Sequence, residues 1–286
     1  MQNIHRSRLA MLIAVTLLPL PALAAESYDN CTGFIDSVPA TISTQGTWCL
    51  RQDLATGMSS GTAITIAANN VTIDCNDFKI GGLGAGPGTQ ANGLTAMQIL
   101  NTTVRNCNVR GFVNGVLLTG AGHVVEDNRF DGNTVVGINV TGDGSVVARN
   151  LVRDTGGSTT NPGLAIGIAT DSSVDVRDNT VTGVMPEANT SGNGNAVGIF
   201  TNNNPNASIG SNRVRSLVAM GTGTTTGILN SNSGRIAITG NQVIGTGVDS
   251  VGLSCSSANG RAAANVVNGF ATPISGCADD GNVTAP

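Results

Sequence analysis

The sequence predicts an all-β fold, a parallel β-helix of about eight coils, on three observations. A short template recurs eight times along the 286 residues. A Gly-aliphatic mark precedes nearly every copy. All the extra residues between copies collect at one place in the cycle.

The template is an inward aliphatic, two variable residues, Asn, any residue, then an aliphatic or Phe. Its centres are Asn76, Cys107, Asn128, Asn150, Asn179, Asn212, Asn241 and Asn265. Ile73, Val104, Val125, Val147, Val176, Ile209, Ile238 and Ala262 stand three residues before them, and Phe78, Val109, Phe130, Val152, Val181, Val214, Val243 and Val267 two residues after. The second mark is Gly93-Leu94, Gly115-Val116, Gly137-Ile138, Gly167-Ile168, Gly198-Ile199, Gly227-Ile228 and Gly252-Leu253. From that aliphatic to the next centre is always 11 to 13 residues, whereas from a centre to the next aliphatic is 9 to 20. Fixed short strands with variation at one corner describe a chain winding into stacked coils. Residues alternate in and out along each strand, so the recurring aliphatics form the core. Each contributes roughly 1.5–3 kcal/mol on burial. Eight coils at about 4.8 Å each make a rod of roughly 38 Å.

The Asn column is expected to be a structural ladder of Asn76, Asn128, Asn150, Asn179, Asn212, Asn241 and Asn265. Asn tolerates a left-handed bend, and stacked amides bond to the coils above and below.

On these repeats the chain resembles the right-handed parallel β-helix (pectin-lyase-like) superfamily over about residues 61–277. The segment Ala67-Ala68-Asn69-Asn70-Val71-Thr72-Ile73-Asp74-Cys75-Asn76 resembles the first-coil motif of many exported β-helix proteins. The resemblance implies a single-stranded right-handed parallel β-helix. It leaves function open, because that fold carries lyases, hydrolases, epimerases, adhesins and envelope proteins. The motifs of pectate lyases, polygalacturonases and mannuronan epimerases occur nowhere in the chain, so the resemblance assigns no catalytic residue.

Residues 1–24 read as a secretory signal peptide: His5, Arg6 and Arg8, then apolar Leu9 to Leu18, then Ala22-Leu23-Ala24 as the cleavage site. The apolar run is too short to span a bilayer, so no membrane span is expected after its removal. Loss of Arg6 and Arg8 leaves 12 basic and 18 acidic groups, a net charge of −6. That balance argues against nucleic acid and anionic membrane surfaces as partners. The location expected is periplasmic or extracellular.

Residues 25–60 hold the one Trp and the one Tyr and are expected to form an N-terminal disulfide-linked cap. Residues 61–277 form the helix and 278–286 a tail or last partial coil. All six Cys follow the signal, as an oxidising compartment predicts. Fifteen pairings are possible. Those favoured are Cys31–Cys49 within the cap and, from proximity on adjacent coils, Cys75–Cys107 and Cys255–Cys277, which tie both ends where a solenoid lacks a neighbour. Without a CxxC, and with His123 as the one His past the signal, zinc is not indicated.

The inserted segments near 81–92, 154–166, 183–197 and 216–226 leave one corner and can wall a groove. The strand after them turns out Thr95, Leu117, Asn139, Ala169, Phe200, Leu229 and Ser254, without a charge, so the carboxylate pair of a glycosidase is missing there. Leu117, Asn139, Phe200 and Leu229 are candidate binding residues, or plain exposed positions under loops. Asp74, Arg105 and Glu126 form one charged column. Lys79, Arg110, Asp131, Arg153 and Arg215 form another. Lys79, Arg110, Asp131 and Arg153 are the candidates for lyase or epimerase chemistry on a uronate, against a reading as alternating-sign ladders. His123 reads as a packed inward His in the column of Val71, Thr102 and Ser145. Asp171, Asp175 and Asp178 make calcium a candidate cofactor, though no calcium motif supports it and no metal site is assigned.

The function expected is therefore an exported, monomeric β-helix repeat protein, non-catalytic, presenting a long face to a polysaccharide or envelope protein. The alternatives are a polysaccharide lyase or epimerase acting on a uronic-acid polymer, and an adhesive spacer.

Overall fold

The computed structural model describes residues 28–232, 235–256 and 260–285, with side chains at 247–249 left aside; the expected signal peptide lies outside the described residues. The chain winds into a parallel β-helix with three faces. The first face stacks Gly46–Cys49, Val71–Asp74, Thr103–Arg105, Val124–Glu126, Val146–Ala148, Asp175–Arg177, Ser208–Gly210, Ala237–Thr239, Arg261–Ala263 and Ala278–Asp280, with Gly33–Phe34 at its edge. The second face follows the Asn turn, with Lys79–Gly81, Asn108–Arg110, Arg129–Asp131 and their successors. The third follows the inserted corner, with Asn92–Leu100, Asn114–Ala121, Val136–Thr141 and their successors.

The aliphatic columns meet inside. Ile73, Val104, Val125, Val147, Val176, Ile209, Ile238 and Ala262 are paired in register and fully buried. On the third face Leu94, Val116, Ile138, Ile168, Ile199, Ile228 and Leu253 do the same. The Gly before each of these marks a close approach between coils. A Cβ on Gly198 would lie 2.3 Å from Val214 Cγ1 and 2.6 Å from the Gly227 carbonyl oxygen.

The Asn ladder is built by hydrogen bonds. Asn179 N–H and Nδ2 each donate to Asn212 Oδ1 at 3.0 Å, and Nδ2 also reaches the Val147 carbonyl at 2.9 Å. The same pattern links Asn128, Asn150, Asn179, Asn212, Asn241 and Asn265, and continues to Asn282. Cys107 joins through its backbone N–H alone, which donates to Asn128 Oδ1.

Three expectations are corrected here. From Cys107 on, the left-handed residue is the one before each template centre: Asn106, Asp127, Arg149, Asp178, Ser211, Gly240 and Ala264. The ladder Asn is selected for its amide, which replaces backbone partners that the bend removes. Asn76 stands outside the ladder, with φ 47° and its amide donating to the Leu50 carbonyl. Its turn carries two extra residues, because Asp74 pairs with Arg105 and Lys79 with Asn108. Insertion is thus not confined to one corner, and Ile80 rather than Phe78 fills the core column.

The segment expected as a cap is itself largely coiled. Ala40–Ile42, Gly46–Cys49 and Leu54–Ala55 pair in register with the coil after them. The C-terminal segment likewise adds Ala278–Asp280 and Val283–Ala285 to two faces. The cysteines pair Cys31–Cys49, Cys75–Cys107 and Cys255–Cys277.

Inside the helix His123 is fully buried. Its Nδ1 accepts from Thr102 N–H at 3.4 Å, its own N–H donates to Ser145 Oγ at 3.0 Å, and its Nε2 has no partner. Burial lowers its pKa from 6.5, opposed by a weaker contact with the Thr119 backbone. As pH falls, the unfolded chain therefore takes up a proton at this imidazole before the folded protein does.

Two outcomes follow from this packing. Asn179→Ala removes the acceptor of the Asn150 N–H and one of the three acceptors of Asn150 Nδ2, and should lower the urea unfolding free energy by roughly 3 kcal/mol. Stability should fall as pH drops below 6.5, the ordinary His value, because the unfolded state then binds more protons. In His123→Gln that part of the pH dependence should vanish from thermal melts.

Candidate functional site

The strands after the Asn turn end where the inserted segments leave, and two clefts sit beside each other at the N-terminal end of this line. The larger, of about 430 Å³, is lined by Ala55, Thr56, Gly57, Lys79, Gly81, Leu83, Gly84 and Arg110. Its neighbour, of about 310 Å³, is lined by Asp53, Asp77, Lys79, Asn108, Arg110, Arg129 and Asp131. Alternation places these charges outward: Ile80, Val109 and Phe130 point into the core, so the residues on either side face solvent.

Three of the four catalytic candidates, Lys79, Arg110 and Asp131, thus line one cleft, and Arg153 reaches it from the next coil, 3.9 Å from Asp131. Their register differs from the expected column. Arg110 pairs with Gly81 and Asp131, while Lys79 pairs with Asn108. The two-residue insertion around Asn76 causes the shift. The sequence reading missed Arg129 and Asp53. Their place in the cleft follows from the corrected register, in which Arg129 continues the row of Lys79 and Asn108.

The ion pairs sort these charges. Lys79 Nζ lies 2.8 Å from Asp53, and Lys79 also donates its backbone N–H to that carboxylate. Those bonds hold the Asp53 carboxyl below the usual carboxylate range. Asp131 is held by Arg129 at 3.2 Å, and Arg153 binds Asp154 at 2.6 Å. Arg110 is left over. Among the described residues it makes no ion pair, and its Nε is buried without a hydrogen-bond partner. Asp77 also has no ion pair, but it is exposed to water. In the larger cleft the charged lining residues are Lys79 and Arg110, both cationic. A half-buried guanidinium without a counter-ion, in a concave site, is suited to a carboxylate or another oxyanion.

The other candidates fall elsewhere. Leu117, Asn139, Phe200 and Leu229 share one outward row of the third face, half-buried and in register with Thr95, Ala169 and Ser254. Phe200 and Leu229 pack against an outer apolar cluster of Val136, Ile166, Ala169 and Val197. In the other charged column Asp74 binds Arg105 at 2.8 Å, and Glu126 turns to Arg149 at 2.7 Å. Asp171 accepts from Ser172 and Asn202, and Asp175 from Ser208 N–H. These acids do not gather, and among the described residues no group of three or more His, Cys, Asp or Glu side chains could hold a metal ion. No helix among the described residues is long and apolar enough to cross a membrane.

The winding, the columns and the ladder define a right-handed parallel β-helix fold. Residues 55–188 match the family described as "Right handed beta helix region". No curated protein matches the sequence. Among solved structures the chain is similar to the Dettilon tailspike protein gp208, at 15% identity and a TM-score of 0.58, covering 86% of this chain and 51% of that one. Similar too is tailspike protein 2 of Escherichia coli O157:H7 bacteriophage CAB120, at 15% identity and TM-score 0.56, covering 84% and 34%. The A-module of the Azotobacter vinelandii mannuronan C-5 epimerase AlgE4 is similar at 10% identity and TM-score 0.53, covering 89% and 87%. The chain thus spans about half of the first tailspike and a third of the second. These likenesses show the fold.

Proposed function

We propose that this is an exported β-helix protein that binds an anionic polysaccharide without transforming it, anchoring a carboxylate on Arg110. The carrying observation is the 430 Å³ cleft whose two charged lining residues are cations, one with no counter-ion among the described residues. The carboxylate nearest in the row, Asp131, is engaged by Arg129 and Arg153. Its oxygens face guanidinium groups, which places it poorly as a general base for a sugar carbon. Export is supported by three disulfides, which persist in oxidising compartments. The solved epimerase and tailspikes lend the fold, and the carboxylate specificity rests on Arg110.

The mature protein should bind polygalacturonate in calorimetry, more weakly as salt rises, and should not bind neutral dextran. Arg110→Ala should weaken binding about tenfold or more, the worth of one charged hydrogen-bonded contact. Unchanged binding would remove the proposal. Appearance of unsaturated product, lost in the same variant, would replace it with the lyase reading, and uronate inversion seen by NMR with the epimerase reading.

A further inference from the structure

Beyond the two adjoining clefts around Arg110, which together make one site, a second cleft lies farther along the same line. It measures about 330 Å³ and is lined by Asp154, Thr155, Gly156, Gly157, Gly183, Met185, Ser216 and Val218. Like the Arg110 cleft, it opens where second-face strands pass into inserted segments. Gly81 of the first cleft and Gly183 of the second belong to strands four coil steps apart. At about 4.8 Å per coil they stand roughly 19 Å from each other. A sugar unit of an extended chain is about as long as one coil is high, so a short run of units bridges the two.

The chemistry of the second cleft differs from that of the first. Its one charged lining residue, Asp154, is already bound to Arg153 at 2.6 Å. Its floor is glycine backbone. A Cβ on Gly183 would lie 2.6 Å from Asp154 Oδ1, and a Cβ on Gly157 would point into open space. Bare backbone of this kind lets a ligand approach closely. Met185 and Val218 supply the apolar wall and are 52% and 45% exposed. Exposed aliphatic surface beside neutral backbone suits a small uncharged apolar substituent.

We infer that the second cleft is a subsite for an acyl- or deoxy-bearing unit of the same polymer whose carboxylate sits on Arg110. The ligand class is then an acidic polysaccharide carrying apolar substituents such as O-acetyl groups. The inference rests on the anionic-polysaccharide reading above, and the following experiment separates the two.

Binding is measured by calorimetry for O-acetylated polygalacturonate and for the same preparation after de-O-acetylation. Wild type, Arg110→Ala and the double variant Met185→Ser/Val218→Ser are compared. Both side chains of the double variant are already half exposed, so their removal opens no core. De-O-acetylation should weaken wild-type binding about fivefold, from the apolar area withdrawn. The double variant should bind both polymers equally, at the weakened level. Equal wild-type affinity for both polymers, or an equal acetyl effect in wild type and double variant, would overturn the second subsite while leaving the Arg110 site intact. Binding indifferent to Arg110 would overturn the underlying reading itself.

Discussion

Everything in this molecule depends on holding each coil in register with the next, and the hydrogen bonds between coils do that. Backbone pairing alone would permit a coil to slide. The Asn side chains forbid it, because each amide must meet both a backbone N–H and an amide of its neighbour. The glycines on the third face act in the same sense. Their missing Cβ lets the carbonyl of the next coil and a core side chain enter space that any other residue would fill.

This constraint explains where chemistry can and cannot sit. Inward positions are committed to stacking, and a polar group admitted there, such as His123, is left short of partners. Outward positions on the first and second faces carry charges that pair between coils. Such pairs contribute modestly at the surface. Their consequence for the site is the residue they leave out, because among the described residues Lys79, Arg129 and Arg153 each have an acid and Arg110 does not.

The fold was legible in the sequence because stacking imposes the same demand at every coil. Ile73 through Ala262 announce one column, and Gly93 through Gly252 another. The end coils were harder to read. Residues 40–55 repeat the pairing with Trp48 opposite Ile73, a large aromatic in place of a small aliphatic, so the pattern does not announce itself. The Asn76 template matched in type while lying two residues out of frame, and the displaced Lys79 followed from that. The site was legible only in part. Lys79, Arg110, Asp131 and Arg153 share a neighbourhood that spacing suggests. Which of them lacks a counter-ion depends on side-chain reach, and Arg129 bridging to Asp131 two residues along its own strand has no periodic signature.

The placement of nearly all the long insertions at one corner has a further implication for how such a protein changes over generations. A segment leaving after Thr155 and returning at Leu164 begins and ends on strands whose pairing is fixed by their neighbours. Its length and composition are therefore decoupled from the stability of the rod. Ligand preference can drift by replacing that segment while inheritance of the scaffold continues undisturbed.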